Sequence, residues 1–246
     1  MASGTNIPNH FLASLSPSDS DLLRPQLRQE NLTIRSVLFR PEEQIPRVYF
    51  PTVGIISLAV PLSDGFMVEA GMFGRNGVIG GGSALDGRIA INQAIVQSAG
   101  SSLTIDTGVL RRFASESDTL RAALMHHELA SYAMTQQVAA CNARHELEER
   151  LCRWLMQTRD LLGSDTLPLT QEFLAQMLGV QRSILTLIAR KLQESGLITY
   201  RRGHIQVVDA VHLQEASCEC YGVINHHFER LIGWRPPVPD VHCPAN

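Results

Sequence analysis

The segment Thr170–Leu192, TQEFLAQMLGVQRSILTLIARKL, constrains the chain most. Phe173, Leu174, Met177 and Leu178 recur at the spacing of one helix face, and Thr170 stands where a side-chain oxygen can cap the first turn. Gly179 tolerates the positive φ of a tight turn between helices. A second helix is expected from about Gln181, with Ile184, Leu185, Ile188 and Leu192 packed on the first. Gln181, Arg182, Ser183, Thr186 and Arg190 are left for the outside. A helix, a glycine turn and a second helix with a polar leading end form a helix-turn-helix, whose second helix enters the DNA major groove.

The next residues read as a hairpin. Gly196 ends the second helix, and two strand-like runs flank Arg201-Arg202-Gly203-His204, a basic tip. Thr170–His204 holds five Lys and Arg against two Asp and Glu, in a chain of net charge −3. Such a local reversal of charge is the expected footprint of a phosphate-binding module. The assignment is that Gln181, Arg182, Ser183 and Thr186 read bases, while Thr170, Gln171, Arg190, Arg201, Arg202 and His204 hold phosphates.

The rest of the chain supplies a setting. Residues 1–29 hold two short helical candidates, the second opening at Ser16-Pro17. From Asn31 to Asp106, short strand-like runs alternate with glycine, proline and Asp-Gly punctuation: Leu32–Phe39, Val48–Phe50, Ile55–Val60, Met67–Phe73, Ala94–Gln97 and Leu103–Ile105. That spacing suggests a β-barrel or jelly roll. From about Asp118 to Leu162 the pattern is helical, with Leu120, Leu124, Met134, Val138, Cys141, His145, Leu151 and Leu155 as an apolar stripe. One long helix packed against a symmetry mate is the favoured reading; the other is two consecutive helices with a bend near Asn142. The fold class is therefore α+β: an N-terminal β-barrel or jelly roll, a long dimerisation helix and a C-terminal winged helix-turn-helix. The expected division is 1–116 for the sensor domain, 117–162 for the long helix, 163–232 for the DNA-binding domain, and 233–246 for a proline-rich extended tail.

The order of a β-rich domain, a long helix and a winged helix-turn-helix resembles the Crp/Fnr superfamily of bacterial regulators. LTQEFLAQMLGVQRSILTLIARKLQESGLI is close to that family's DNA-binding signature. The resemblance covers about residues 10–210. It implies a homodimer on double-stranded DNA, with RNA polymerase as a further partner and half-sites about 34 Å apart in a near-palindrome; separately, an odd cysteine count without a secretion signal suggests reduced thiols in the cytoplasm. Arg182 falls where many members place a base-reading arginine. Ser183 stands where many have glutamate, and Leu187 where a second arginine is frequent.

The sensor half departs from the resemblance. Cyclic-nucleotide-binding members use a glycine-glutamate pair for the ribose and an arginine for the cyclic phosphate. The matching stretches here are Gly80-Gly81-Gly82-Ser83-Ala84-Leu85 and Asn92-Gln93-Ala94, so Gly81 replaces the glutamate and Asn92 the arginine. A phosphate buried without a guanidinium is costly. The expectation is no cyclic-nucleotide response. Gly80, Gly81, Gly82, Ser83, Arg88, Asn92 and Gln93 remain pocket candidates for another small-molecule effector, or for none.

Other chemistries find little support. There is no G-x-S-x-G, H-E-x-x-H or P-loop motif, so no enzyme is expected. Gly77–Gly82 lacks the G-x-G-x-x-G spacing and reads as β-turns. Glu148-Glu149-Arg150 reads as a solvated helix face. Cys218-Glu219-Cys220 near His226-His227 raises zinc, but C-x-C is not the usual spacing and no second pair accompanies it. The expectation is one helix, Ala210–Ile232, with the cysteines as small hydrophobes and no metal or cofactor. Cysteine is absent before Cys141, against an N-terminal iron–sulfur cluster. His126, His127 and His145 are expected at a helix interface or in solvent. Met1–His10 shows no signal peptide, and no run is long and apolar enough to span a membrane. The rival reading is a ligand sensor whose winged helix contacts protein instead of DNA.

Overall fold

The computed structural model describes residues 8–85, 87, 89–201 and 203–237. Arg88, Arg202 and the tail beyond Pro237 lie outside them. Two short helices open the described chain, α1 (His10–Ser14) and α2 (Pro17–Leu23). The Ser16 side chain caps α2 by accepting from the Asp19 amide, as its place before Pro17 suggests. Five strands follow: β1 (Arg28–Leu32), β2 (Val37–Phe39), β3 (Arg47–Pro61), β4 (Met67–Phe73) and β5 (Gln93–Asp106). They form one antiparallel sheet in the order β1-β5-β3-β4, with β2 also paired to β5.

The strands are fewer and longer than the punctuation suggests. Val48–Phe50 and Ile55–Val60 belong to one strand, β3, and Ala94–Gln97 and Leu103–Ile105 to another, β5. Pro51 and Gly100 do not end these strands. The ladder absorbs them as register shifts between Pro51 and Ile56. At Gly100 the two backbones pass so closely that a Cβ would lie 2.1 Å from the Val53 carbonyl oxygen. The expected strand Leu32–Phe39 is instead the end of β1 and all of β2, parted by a turn in which Arg35 has φ 65°.

Helices α3 (Thr107–Glu116), α4 (Asp118–Arg144) and α5 (Leu147–Leu162) come next. Residues 117–162 are thus not one helix. His145 and Glu146 take extended backbone, and Glu146 starts α5 through a capping box with Glu149. The charged triplet at the start of α5 is no solvated face either. Glu149 caps, Glu148 meets Lys191, and Arg150 donates to the Leu178 carbonyl at 2.7 Å. Beyond Gly163 lie β6 (Thr166–Leu167), α6 (Gln171–Leu178), α7 (Arg182–Glu194), β7 (Ile198–Arg201) and β8 (His204–Val207), the three strands in the order β6-β8-β7. The C-terminal segment is two helices, α8 (Ala210–Glu215) and α9 (Cys220–Ile232), not the single helix expected.

One core runs from the sheet into the C-terminal module. Ile55, Met67, Met72 and Ile95 meet Trp154 and Leu155 of α5, which pack on to Phe173, Leu174, Leu185 and Ile205. Full burial of each such side chain contributes roughly 1.5–3 kcal/mol. Helix α4 lies against the other part of the sheet, with Ala130, Met134 and Val138 among Ile56, Phe73 and Val96. The stripe Leu120, Leu124, Met134, Val138 and Cys141 is therefore used up within the chain. Among the described residues no helix is long and apolar enough to cross a membrane.

Candidate nucleic-acid interface

The Thr170 hydroxyl accepts from the Phe173 amide at 3.2 Å and so caps α6. Gly179 ends α6 at φ 67°, ψ 38°, and the chain re-enters helix at Arg182. Leu185, Ala189 and Leu192 bury the inner face of α7. Gln181, Arg182, Ser183, Thr186 and Arg190 are all exposed on the outer face. Ile184 joins them: expected on α6, it is 46% exposed, and Leu187 is 69% exposed. The outer face thus has Arg182 at its leading end and Arg190 further on, with hydroxyls and two apolar side chains between them.

Some candidates already have partners. The Thr186 hydroxyl donates to Gln171 Oε1 at 2.9 Å, tying the first turn of α6 to α7. Arg190 donates to Glu194 at 2.8 Å. Thr170 also receives Arg35 Nη2 at 3.5 Å, a link from the sheet domain. The β7–β8 hairpin places Arg201 and His204 opposite each other, both exposed, beside the α6 N-terminus. Arg202 lies outside the described residues. Arg182, Gln181 and Gln176 share a surface groove with Asp64 and Phe66 of the β3–β4 turn.

Among the described residues, the effector candidates of the glycine stretch are held by neighbouring helices. Gly81–Leu85 form a 3₁₀ turn, with Gly81 and Ser83 buried. Glu128 of α4 faces this turn and accepts from the Gly82 amide; burial raises its carboxyl above the usual carboxylate range. Arg111 of α3 closes the other side through two bonds to the Ser83 carbonyl, at 3.2 and 2.6 Å. Gln93 donates to Met67 sulfur. Asn92 is half-buried, and Arg88 lies outside the described residues. Glu128 escaped the sequence reading because it lies more than forty positions downstream of the turn it faces.

The histidines part ways. His126 is exposed. His127 is buried between Phe11 and Phe73, and its Nε2 accepts from the Val78 amide at 3.0 Å. Burial pushes its pKa down to about 4.

An antiparallel sheet domain, a long helix and a winged helix-turn-helix make up the described chain. A family model, the Crp-like helix-turn-helix domain, matches residues 149–216, and the described fold is that of the Crp/Fnr regulators. Among similar solved structures, FixK2 from Bradyrhizobium japonicum is 14% identical with a TM-score of 0.68, covering 78% of this chain and 98% of its own. The c-di-GMP-responsive global regulator CLP of Xanthomonas campestris is 16% identical with a TM-score of 0.65, covering 79% of this chain and 100% of its own. A transcriptional regulator of the CRP/FNR family from Thermus thermophilus is 19% identical with a TM-score of 0.64, covering 77% and 98%. No curated protein matches the sequence.

Proposed function

We propose that the chain acts as a homodimer that reads a near-palindromic DNA site through α7 and responds to no cyclic nucleotide. The observation that carries the reading is the outer face of α7: every polar residue expected there is exposed, and Arg182 leads the helix. Arginine at that end can bridge guanine O6 and N7, worth about 1–3 kcal/mol of discrimination. Exposed Ile184 and Leu187 suit thymine methyl groups, so the half-site would combine a guanine with neighbouring thymines. Arg201 and His204 on the wing, with Thr170 and Gln171, suit phosphates.

The dimer reading rests on a second stripe of α4. Met125, Leu129, Tyr132, Gln136, Ala139 and Ala143 are all exposed and alternate at steps of four and three. That is the spacing of a coiled-coil seam. It leaves the opposite face to the sheet, so α4 has two faces to bury. The absence of a cyclic-nucleotide response rests on Glu128. A carboxylate holds the amide of the glycine turn where a cyclic phosphate would need donors, and a buried anion pair is unfavourable.

Anisotropy with labelled duplexes tests the reading. Arg182→Ala should lose about 1–3 kcal/mol on the preferred site and almost nothing on random DNA. Arg201→Ala should weaken both alike and lower the salt slope by about one. Equal losses for Arg182→Ala on both duplexes would contradict its role. Cyclic AMP and cyclic GMP should give no heat in calorimetry.

A further inference from the structure

Three cysteines and a histidine gather where α4 ends and the α8–α9 turn crosses it. Cys141 sits in the last turn of α4, and His145 is the residue that caps that helix. Cys218 lies in the turn after α8, and Cys220 opens α9. Their ligand atoms all lie within 4.8 Å of one another. Cys141 Sγ is 3.5 Å from Cys218 Sγ, and Cys220 Sγ is 3.5 Å from His145 Nδ1. The three cysteines are buried and form a cluster of their own, apart from Cys152, which packs in the main core. His226 and His227, the partners the linear sequence offers, are not in the group.

We propose that Cys141, His145, Cys218 and Cys220 bind a single zinc ion in closed tetrahedral coordination. Zinc–sulfur bonds of about 2.3 Å and zinc–nitrogen bonds of about 2.0–2.1 Å give tetrahedral edges of roughly 3.8 Å between sulfurs and 3.6 Å between sulfur and nitrogen. Two of the ligand separations, Cys141 Sγ to Cys218 Sγ and Cys220 Sγ to His145 Nδ1, are both 3.5 Å and fit those edges. A disulfide would need about 2.05 Å. In a 4Fe–4S cluster each thiolate binds a different iron, which spreads the sulfurs beyond what one ion requires.

The surroundings fit the same ion. His145 Nε2 lies 3.1 Å from Glu219 Oε2, which turns Nδ1 toward the sulfurs with its lone pair free. Gln137 Nε2 donates to Cys220 sulfur at 3.0 Å, a bond suited to a thiolate. Three thiolates on a divalent ion leave one net negative charge. Arg150 and Arg153 stand within electrostatic reach of these thiols, and each has a buried Nε with no partner. Buried cations call for an anionic partner, and the zinc–thiolate centre supplies it. Four protein ligands leave no open position, so the ion is structural. It clamps α9 to the end of α4, directly before the His145–Glu146 break that leads into the DNA-binding module.

The test uses the full chain purified under reducing conditions without added metal. Metal analysis should find about one zinc per chain, four protein ligands being a closed set for one ion. Cobalt(II) added to the metal-stripped chain should give thiolate charge-transfer bands and the intense visible bands of tetrahedral cobalt. Cys141→Ser and Cys220→Ser should abolish both signals. Glu219→Gln, at an exposed carboxylate that pairs with His145, should weaken zinc affinity about 10-fold in a competition with a chromophoric chelator. A wild-type chain with no zinc and no tetrahedral cobalt spectrum overturns the proposal, as does peptide mapping that finds Cys141 and Cys218 joined as a disulfide.

Discussion

Glu69 points from β4 into the seam between the sheet and α5, and replacing it with glutamine should change how stability depends on pH. Its Oε1 accepts from Trp154 Nε1 at 2.8 Å, while Oε2 is buried without a partner. Burial pushes the carboxyl from 4.5 up to about 7, against the opposite pull of Ser57, Trp154 and Arg153. Between those two values the native chain holds this proton and the unfolded chain does not. Stability therefore falls as pH rises from 4.5 to 7 and stays reduced above that. At about 1.4 kcal/mol per tenfold change in proton affinity, the whole effect is about 3 kcal/mol. Glu69→Gln keeps the acceptor for Trp154 and carries no charge. At pH 8 the variant should be more stable than the parent by about 2–3 kcal/mol, and at pH 5 the two should agree within about 1 kcal/mol. The assay is urea unfolding at fixed protein concentration from pH 5 to pH 8. His127 and Asp160 titrate alike in both chains and cancel in the difference. A difference that stays constant over this range, or a variant less stable at pH 8, would mean that the native chain does not hold the Glu69 proton near neutral pH.

Two further outcomes follow from other buried and exposed groups. Leu129→Asp places a carboxylate on each side of the α4 seam, so it should raise the dimer dissociation constant at least about 100-fold, roughly 3 kcal/mol, and abolish tight operator binding; sedimentation velocity reads the mass. His127, buried neutral, has its pKa lowered from 6.5 to about 4, so its contribution is complete above 6.5 and is lost as pH falls toward 4. His127→Gln should therefore flatten the acid limb of the stability curve, seen as a smaller drop in thermal midpoint between pH 7 and pH 5 than in the parent.

What was legible in the sequence is what local chemistry decides. Ser16 before Pro17, Thr170 three residues before Phe173, and Gly179 after Leu178 each act within one turn of chain, and each does what its residue type suggests. The breaks depend on distant partners and misled. Pro51 and Gly100 look like strand ends, yet each is held inside a strand by a facing backbone that the sequence does not show. The α4 stripe was read correctly as a face to bury, but its partner is the chain's own sheet; the exposed seam at Met125, Leu129 and Tyr132 is masked in any one-sided pattern because the helix is apolar on both sides. The spacing of Ile184 fits a core position, whereas α7 buries the narrow line through Leu185, Ala189 and Leu192. The cysteine cluster was half visible. Cys218 and Cys220 stood out, but Cys141 and His145 join them only when α9 folds back on α4.

A dimeric, sequence-reading regulator active without a cyclic nucleotide should select its own operator, so the decisive experiment is selection from random duplex DNA with the purified, ligand-free chain. The expected result is enrichment of a two-fold symmetric site whose half-sites lie about one helical turn apart and contain a guanine beside thymines. Recovery of no motif, with only weak salt-sensitive binding to every duplex, would contradict it.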